Sequence, residues 1–153
     1  MKKYNVLGFV HSGITVKNLK ISLEFYTNIL GLKKIHEQKN DTDYIYKIVE
    51  IPGLKAIKVA FLKIPDGNII ELLEYDVDKT SGATSSSNYG TGHICLQVKN
   101  LNNMFVELKN KGVEFISKEV VLITEGHNKG AKAVYMKDPD GYIIELMEKN
   151  KSV

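Results

Sequence analysis

Arginine is absent from this 153-residue chain. All 21 basic residues are lysine. The planar, two-donor grip that a guanidinium makes on a carboxylate or phosphate is therefore unavailable. An anionic substrate must be held by lysine, by backbone amides or by a metal ion. Cysteine occurs once, at Cys95, so no intrachain disulfide can form. That usage fits a reducing compartment. Long apolar runs are also missing. The stretch Val6–Val10 breaks at His11 and is too short for a membrane span or a signal-peptide core. A cytoplasmic protein with no membrane partner is expected. The net charge of +3 is too small to argue for nucleic acid. What remains is an ordinary folded composition, 43% hydrophobic and 25% charged, long enough to bury a core without staples.

The chain repeats itself. The segment His11-Ser-Gly-Ile-Thr-Val-Lys-Asn-Leu19 aligns with His93-Ile-Cys-Leu-Gln-Val-Lys-Asn-Leu101 at an offset of 82 residues. Further on, Pro65-Asp-Gly-Asn-Ile-Ile-Glu-Leu-Leu-Glu74 aligns with Pro139-Asp-Gly-Tyr-Ile-Ile-Glu-Leu-Met-Glu148 at an offset of 74, with eight of ten positions identical. Two matches in the same order argue for a duplicated unit whose second copy is shorter by 8 residues in the middle. The reading divides the chain into a first module at 1–80, a linker at 81–91 and a second module at 92–153, in one structural domain overall. Residues Asp76–Thr91, rich in Ser, Thr and Gly, supply the connection.

Periodicity gives the elements of each copy. Residues 10–16 alternate as a strand. Asn18 is placed to cap a helix whose stripe is Leu19, Leu23, Tyr26 and Leu30, with Gly31 ending it. In the second copy Asn100 caps, Leu101, Met104, Phe105 and Leu108 form the stripe, and Gly112 ends it. Strand-like runs follow at 32–38, 44–51, 56–63 and 69–75, and then at 113–117, 131–137 and 142–148. Pro65-Asp66-Gly67 and Pro139-Asp140-Gly141 read as tight turns with no chemistry of their own. The fold class is α+β, two tandem βαβββ modules.

Strand side chains alternate between faces. Val10, Ile14 and Val16 share one face, and His11 takes the other. Ile94, Leu96 and Val98 oppose His93. Ile70 and Leu72 oppose Glu71, and Ile144 and Leu146 oppose Glu145. All four polar residues thus lie away from the aliphatic stripe that should pack on the helix. If the sheets curve around one cavity, His11, Glu71, His93 and Glu145 converge there. Two imidazoles and two carboxylates suit a divalent transition metal with open positions. A single strand histidine is more often structural, and a single Glu is more often a solvated charge. Recurrence of both at equivalent places moves the balance toward a metal site.

Other polar residues carry weaker signals. His127, Asn128 and Lys129 lie in the glycine-flanked loop Glu125–Gly130. This is either an ordinary connection or a substrate-binding lid. His36 reads as a surface strand residue. Glu74 and Glu148 face away from Glu71 and Glu145 and read as strand-end surface charges. Cys95 shares the His93 face and reads either as part of the cavity lining or, with more weight, as a small apolar filler.

Three segments carry a family resemblance. They are His11-Ser-Gly-Ile-Thr-Val16 with Leu23-Glu-Phe-Tyr26 and Leu30-Gly-Leu32, then His93-Ile-Cys-Leu-Gln-Val98, then Asp138-Pro-Asp-Gly-Tyr-Ile-Ile-Glu145. With these the chain resembles the vicinal oxygen chelate superfamily over nearly its whole length. That resemblance implies a cupped mixed sheet around one divalent metal (Zn, Ni, Co, Mn or Fe). It implies His11, Glu71, His93 and Glu145 as ligands and a homodimer acting on a small molecule. Within the superfamily the sequence looks most like glyoxalase I. Methylmalonyl-CoA epimerase-like proteins are close, but commonly carry Gln where this chain has Glu71. Fosfomycin-type thiol transferases and non-catalytic binding members of the superfamily are more distant candidates. The implied chemistry is a lyase or isomerase reaction through an enediolate chelated by its vicinal oxygens, with Glu145 as the base and Glu71 as the second candidate. Glyoxalase I members usually grip glutathione carboxylates with Arg, so the thiol is left open here.

Overall fold

Strand β1, Ser12–Thr15, lies parallel to β4, Ile69–Asp76, with Gly13 opposite Glu71. The computed structural model describes residues 6–78, 82, 85 and 87–149. By its internal contacts the chain forms two units, Met1–Thr80 and Ser81–Val153. Of the expected linker, Ser81, Ala83, Thr84 and Ser86 lie outside the described residues.

In the first unit β1 leads to helix α1, Leu19–Glu24, which widens into a π-helical turn at Phe25–Ile29. Strand β2, Lys33–Asn40, helix α2, Asp43–Val49, and strand β3, Ala56–Lys63, follow before β4. The sheet order is β1-β4-β3-β2, antiparallel except for the β1·β4 pair. The second unit runs β5, His93–Gln97; α3, Leu101–Asn110; β6, Val121–Leu122; β7, Lys132–Lys137; and β8, Ile143–Glu148. Its order, β5-β8-β7-β6, repeats the first, again with one parallel pair. The molecule is thus α+β, with two four-stranded mixed sheets built from repeated modules.

The stripes turn inward as their spacing predicts, although Leu23, Leu30, Met104 and Phe105 are only half-buried. Ile14, Val16, Leu19, Tyr26, Leu62, Ile70 and Leu72 are buried in the first module. Leu101, Leu108, Val134, Met136, Ile144 and Leu146 are buried in the second. Apolar burial of this kind contributes roughly 25 cal/mol per Å² removed from water, the main favourable term holding each helix on its sheet. Both turns close as expected. Gly67 and Gly141 take φ of 99° and 87°, where a side chain would be strained. Asp66 accepts the Asn68 amide at 2.9 Å, and Asp138 accepts the Asp140 and Tyr142 amides at 2.9 and 2.8 Å.

In five places the secondary structure and its contacts differ from the sequence pattern. Residues 44–51 read as a strand from their Tyr, Ile and Val content, yet Asp43–Val49 is helical. Strand preference depends on having a pleated, half-buried surface to join, and here Ile45, Tyr46 and Val49 turn inward at helical spacing instead. Asp43 in the first turn and Lys47 in the last complement the helix dipole. Removing that strand leaves four strands in the first sheet, in agreement with βαβββ. The extra length of the first copy falls where this seven-residue helix sits. Residues 113–117 make only an isolated pairing, Phe115 with Met136, because the polar Ser117, Lys118 and Glu119 give a strand nothing apolar to bury. The fourth strand of that sheet is β6, which its periodicity did not reveal. Val10 is 78% exposed and outside the buried stripe, since β1 begins only at Ser12.

The last two differences concern the helix starts. Asn18 caps α1 as expected, its side chain accepting the Ile21 amide at 3.1 Å. Asn100 does not cap α3 with its side chain; it takes a left-handed φ of 55°. Its amide and that of Leu101 donate to the Glu148 carboxylate at 2.9 and 3.2 Å. Glu74 and Glu148 are therefore not idle surface charges. They face away from Glu71 and Glu145, as parity requires, and that is the side on which the helix begins.

Candidate metal centre

Each module brings its own histidine and glutamate together. His11, one residue ahead of β1, places Nε2 3.1 Å from Glu71 Oε2. His93, the first residue of β5, places Nε2 3.2 Å from Glu145 Oε2. The carboxylates come from the middle of β4 and β8, each the strand that lies parallel beside the histidine segment. Parallel pairing puts Gly13 and Cys95 opposite the carboxylates and sets each histidine on the same face two residues earlier, diagonal to its glutamate. The carboxylates are mostly shielded, at 16% and 14% exposed, while the imidazoles are 38% and 39% exposed. Among the described residues no three His, Cys, Asp or Glu side chains gather into one metal-holding group. The structure thus holds two His–Glu pairs, one per module.

The pairs suit a cation. Two ligand atoms at right angles, each about 2.1 Å from a metal, lie about 3.0 Å apart. The observed N···O separations, 3.1 and 3.2 Å, need little adjustment to reach that bite. Neutral imidazole and ionised carboxylate form a mixed N/O donor set suited to borderline divalent metals.

The neighbours of the two pairs were not singled out by sequence. Phe61 on β3 lies directly across from Glu71, and Tyr135 on β7 directly across from Glu145. The His11 and Phe61 rings meet edge to face at 6.4 Å, and the His93 and Tyr135 rings lie 5.2 Å apart. The signal was present, since Phe61 and Tyr135 are 74 residues apart, the same offset as the repeated turns. Burial and the charge of Glu145 push the Tyr135 hydroxyl above its ordinary pKa, so it remains a donor at neutral pH. Burial and Glu71 do the same for Tyr75.

Cys95 is exposed and is not a buried filler. It stands opposite Glu145 across the β5·β8 pair. Partial desolvation first, and then the charge and hydrogen bonding of Glu145, raise its thiol pKa to about 11. The corresponding position in the first module is Gly13, where an added methyl would meet Leu73 Cδ1 at 3.3 Å and Glu71 Oε2 at 3.7 Å. His36 is exposed as expected, and its ring lies 6.2 Å from that of Phe61.

His127, Asn128 and Lys129 occupy an exposed turn between β6 and β7. The turn is closed by Gly130 N–H donating to Ile123 O at 2.8 Å and Ala131 N–H donating to Asn128 O at 3.0 Å. Among the described residues the side chains of these three make no hydrogen bond or ion pair with the His93–Glu145 pair of their own unit.

Comparison with known proteins places the chain in a family. Residues 8–146 match the family model of the Glyoxalase/Bleomycin resistance protein/Dioxygenase superfamily. The chain is 30% identical to a lactoylglutathione lyase of Escherichia coli O157:H7 over 142 residues, covering 91% of this chain and 90% of that protein. It is 29% identical over 151 residues to a lactoylglutathione lyase of Schizosaccharomyces pombe (strain 972), covering 93% of this chain but only 47% of that relative. In fold it is similar to the crystal structure of a glyoxalase family protein from Bacillus cereus, with a TM-score of 0.80, 19% identity, and coverage of 97% of this chain and 98% of that one. No helix among the described residues is long and apolar enough to cross a membrane. The chain belongs to the Glyoxalase/Bleomycin resistance protein/Dioxygenase superfamily.

Proposed function

We propose that this chain is a metal-dependent lyase or isomerase of glyoxalase I type, acting on the hemithioacetal of a 2-oxoaldehyde. One observation carries the reading. The same His–Glu pair recurs at equivalent strand positions in both modules, with N···O separations of 3.1 and 3.2 Å. Likeness to proteins named lactoylglutathione lyase supports it.

His11, Glu71, His93 and Glu145 would hold one divalent cation. When bound, that cation supplies Lewis acidity to two adjacent substrate oxygens. Glu145 takes the proton from the carbon next to the carbonyl. The C–H electron pair then forms a carbon–carbon double bond, leaving an enediolate. Return of the proton to the neighbouring carbon yields a 2-hydroxy thioester, with no net change in composition. Glu71 is the second candidate for the base. With no arginine in the chain, lysine and backbone amides are left to meet any carboxylate of the thiol partner. His127, Asn128 and Lys129 are proposed contacts for that part of the substrate.

The chain is also proposed to act as a cytoplasmic homodimer. The exposed Val6, Leu7, Phe9 and Val10 support self-association. Light scattering on the purified protein tests that point.

Metal analysis followed by turnover tests the function. The purified protein should retain a divalent metal, lose activity on chelation and regain it with Ni, Co, Zn or Mn. It should convert the hemithioacetal of a 2-oxoaldehyde and a small thiol into the thioester. Absence of any divalent metal, with no thermal shift on adding one, would leave a non-catalytic binding protein as the better reading.

A further inference from the structure

The two half-sites share their histidine and glutamate but differ in what surrounds them. Across from Glu71 stands Phe61, and across from Glu145 stands Tyr135. The Tyr135 hydroxyl lies 3.4 Å from His93 Nε2, the same nitrogen that lies 3.2 Å from Glu145 Oε2. Phe61 offers no such group to His11. Beside the carboxylates, Gly13 in one module is replaced by Cys95 in the other. The repeat is therefore symmetric in its proposed ligands and asymmetric in its hydrogen-bond donors.

Nε2 is the imidazole atom turned toward the carboxylate, and so it is the nitrogen that would ligate. A hydroxyl beside it stands at the edge of whatever the pair holds. Tyr135 is half-buried, its backbone is anchored in β7 by Val134 and Met136, which are buried on the opposite face, and its ring lies 5.2 Å from that of His93. A donor held this way needs little reorganisation to meet negative charge that develops on a nearby oxygen.

We propose that Tyr135 is a further catalytic residue, its hydroxyl donating to the substrate oxygen on the His93–Glu145 side. The Phe61/Tyr135 difference then makes a pseudo-symmetric site chemically handed. The oxygen of the developing enediolate on the His93–Glu145 side receives a hydrogen bond, whereas the first module, with Phe61 at that position, has no matching hydroxyl to offer. This orients the substrate and gives Glu145 and Glu71 unequal roles. The inference rests on the reading that the His–Glu pairs hold a divalent cation.

The test uses the intact protein, Co(II) and acetohydroxamate, a small chelator whose adjacent oxygens resemble an enediolate. Wild type, Tyr135→Phe and Phe61→Tyr are titrated with Co(II) and then with acetohydroxamate, followed by visible absorbance, with thermal melting as the folding control. Tyr135→Phe should keep its Co(II) affinity within about twofold and lose about tenfold in hydroxamate affinity, as for one lost hydrogen bond. Its kcat/KM for the hemithioacetal should fall by about 100-fold, mostly in kcat. Phe61→Tyr should narrow the difference between the half-sites and relax the preference for one hemithioacetal configuration. If Tyr135→Phe binds Co(II) and hydroxamate as wild type does, the proposal is overturned while the metal reading stands. The proposal is also overturned if the variant loses Co(II) affinity in proportion to everything else, because Tyr135 then only braces His93. Wild type that takes up no cation at all fails the metal reading itself and the proposal with it.

Discussion

Glu74 accepts the backbone N–H of Leu19 at 2.7 Å, tying the end of β4 to the first turn of α1 across 55 residues of chain. The carboxylate also pairs with Lys58 at 2.6 Å. The second module repeats the arrangement with Glu148, the amides of Asn100 and Leu101, and Lys132 at 3.9 Å. A helix begins with amides that have no partner of their own, and a carboxylate there also meets the positive end of the dipole. The latch fixes where each helix sits over its sheet, and the same strand carries the proposed metal carboxylate three residues earlier.

Replacing Glu74 by Ala should therefore destabilise the protein by about 1–2 kcal/mol, the range for losing a helix cap. Glu148→Ala should cost a similar amount. Urea unfolding checks both, with the proviso that the slope of the transition stays constant. A loss indistinguishable from that of Lys118→Ala, an exposed residue without a latch, would remove the capping role.

The latch also predicts an acid dependence. Burial pushes the Glu74 carboxyl up, but the Leu19 amide and the Lys58 ammonium outweigh it, and the net pKa is lowered. A carboxyl whose folded pKa is depressed contributes stability above its unfolded value and loses it as pH falls through the folded value. Stability should therefore decline on acidification from the ordinary glutamate range downward, and Glu74→Gln should show a shallower decline. Parallel denaturation midpoints for the two proteins across that range decide it.

Asn18 and Asn100 share the identical Val-Lys-Asn-Leu context but should respond differently to loss of the side chain. Asn18 caps through its side chain, whereas Asn100 sits at a φ of 55° with no side-chain cap. Asn18→Ala should cost about 1 kcal/mol. Asn100→Gly should be neutral or slightly stabilising, because glycine reaches the left-handed region without strain. Melting temperatures of the two variants give the comparison.

Leu72 and Ile48 separate core from surface. Leu72 is fully buried, and its replacement by Ala should cost about 2–5 kcal/mol. Ile48 on α2 is 70% exposed, and its replacement by Ala should fall within about 0.5 kcal/mol of wild type. No side chain of α2 is fully buried, so its amides should exchange with solvent faster than those of β3 and β4.

Ligand substitutions should separate binding from chemistry. His11→Ala and His93→Ala should each reduce the divalent metal retained after gel filtration. Glu145→Gln, assayed at full metal occupancy, should lose about 10²–10⁴-fold in turnover as a general-base deletion. If Glu145→Gln keeps normal turnover and Glu71→Gln does not, the base is Glu71 and the two half-sites exchange roles.

The duplication is legible in the sequence, as are the strands that carry Glu71, His93 and Glu145 and the face on which Glu71 and Glu145 lie, while β1 itself starts one residue after His11. Alternation along a strand is local geometry, set by each residue and its neighbours. The same parity puts Glu74 and Glu148 on the opposite face, though it does not name their partners. Everything that depends on which strand lies beside which comes from the packed chain. Phe61 and Tyr135 became neighbours of the glutamates only through the β3·β4 and β7·β8 register. Residues 44–51 became a helix although β2 leaves an edge of the sheet open, and Asn100 took a left-handed backbone without a side-chain cap while its amide and that of Leu101 meet Glu148. Pairing across tens of residues is a property of the tertiary structure, and no local pattern encodes it.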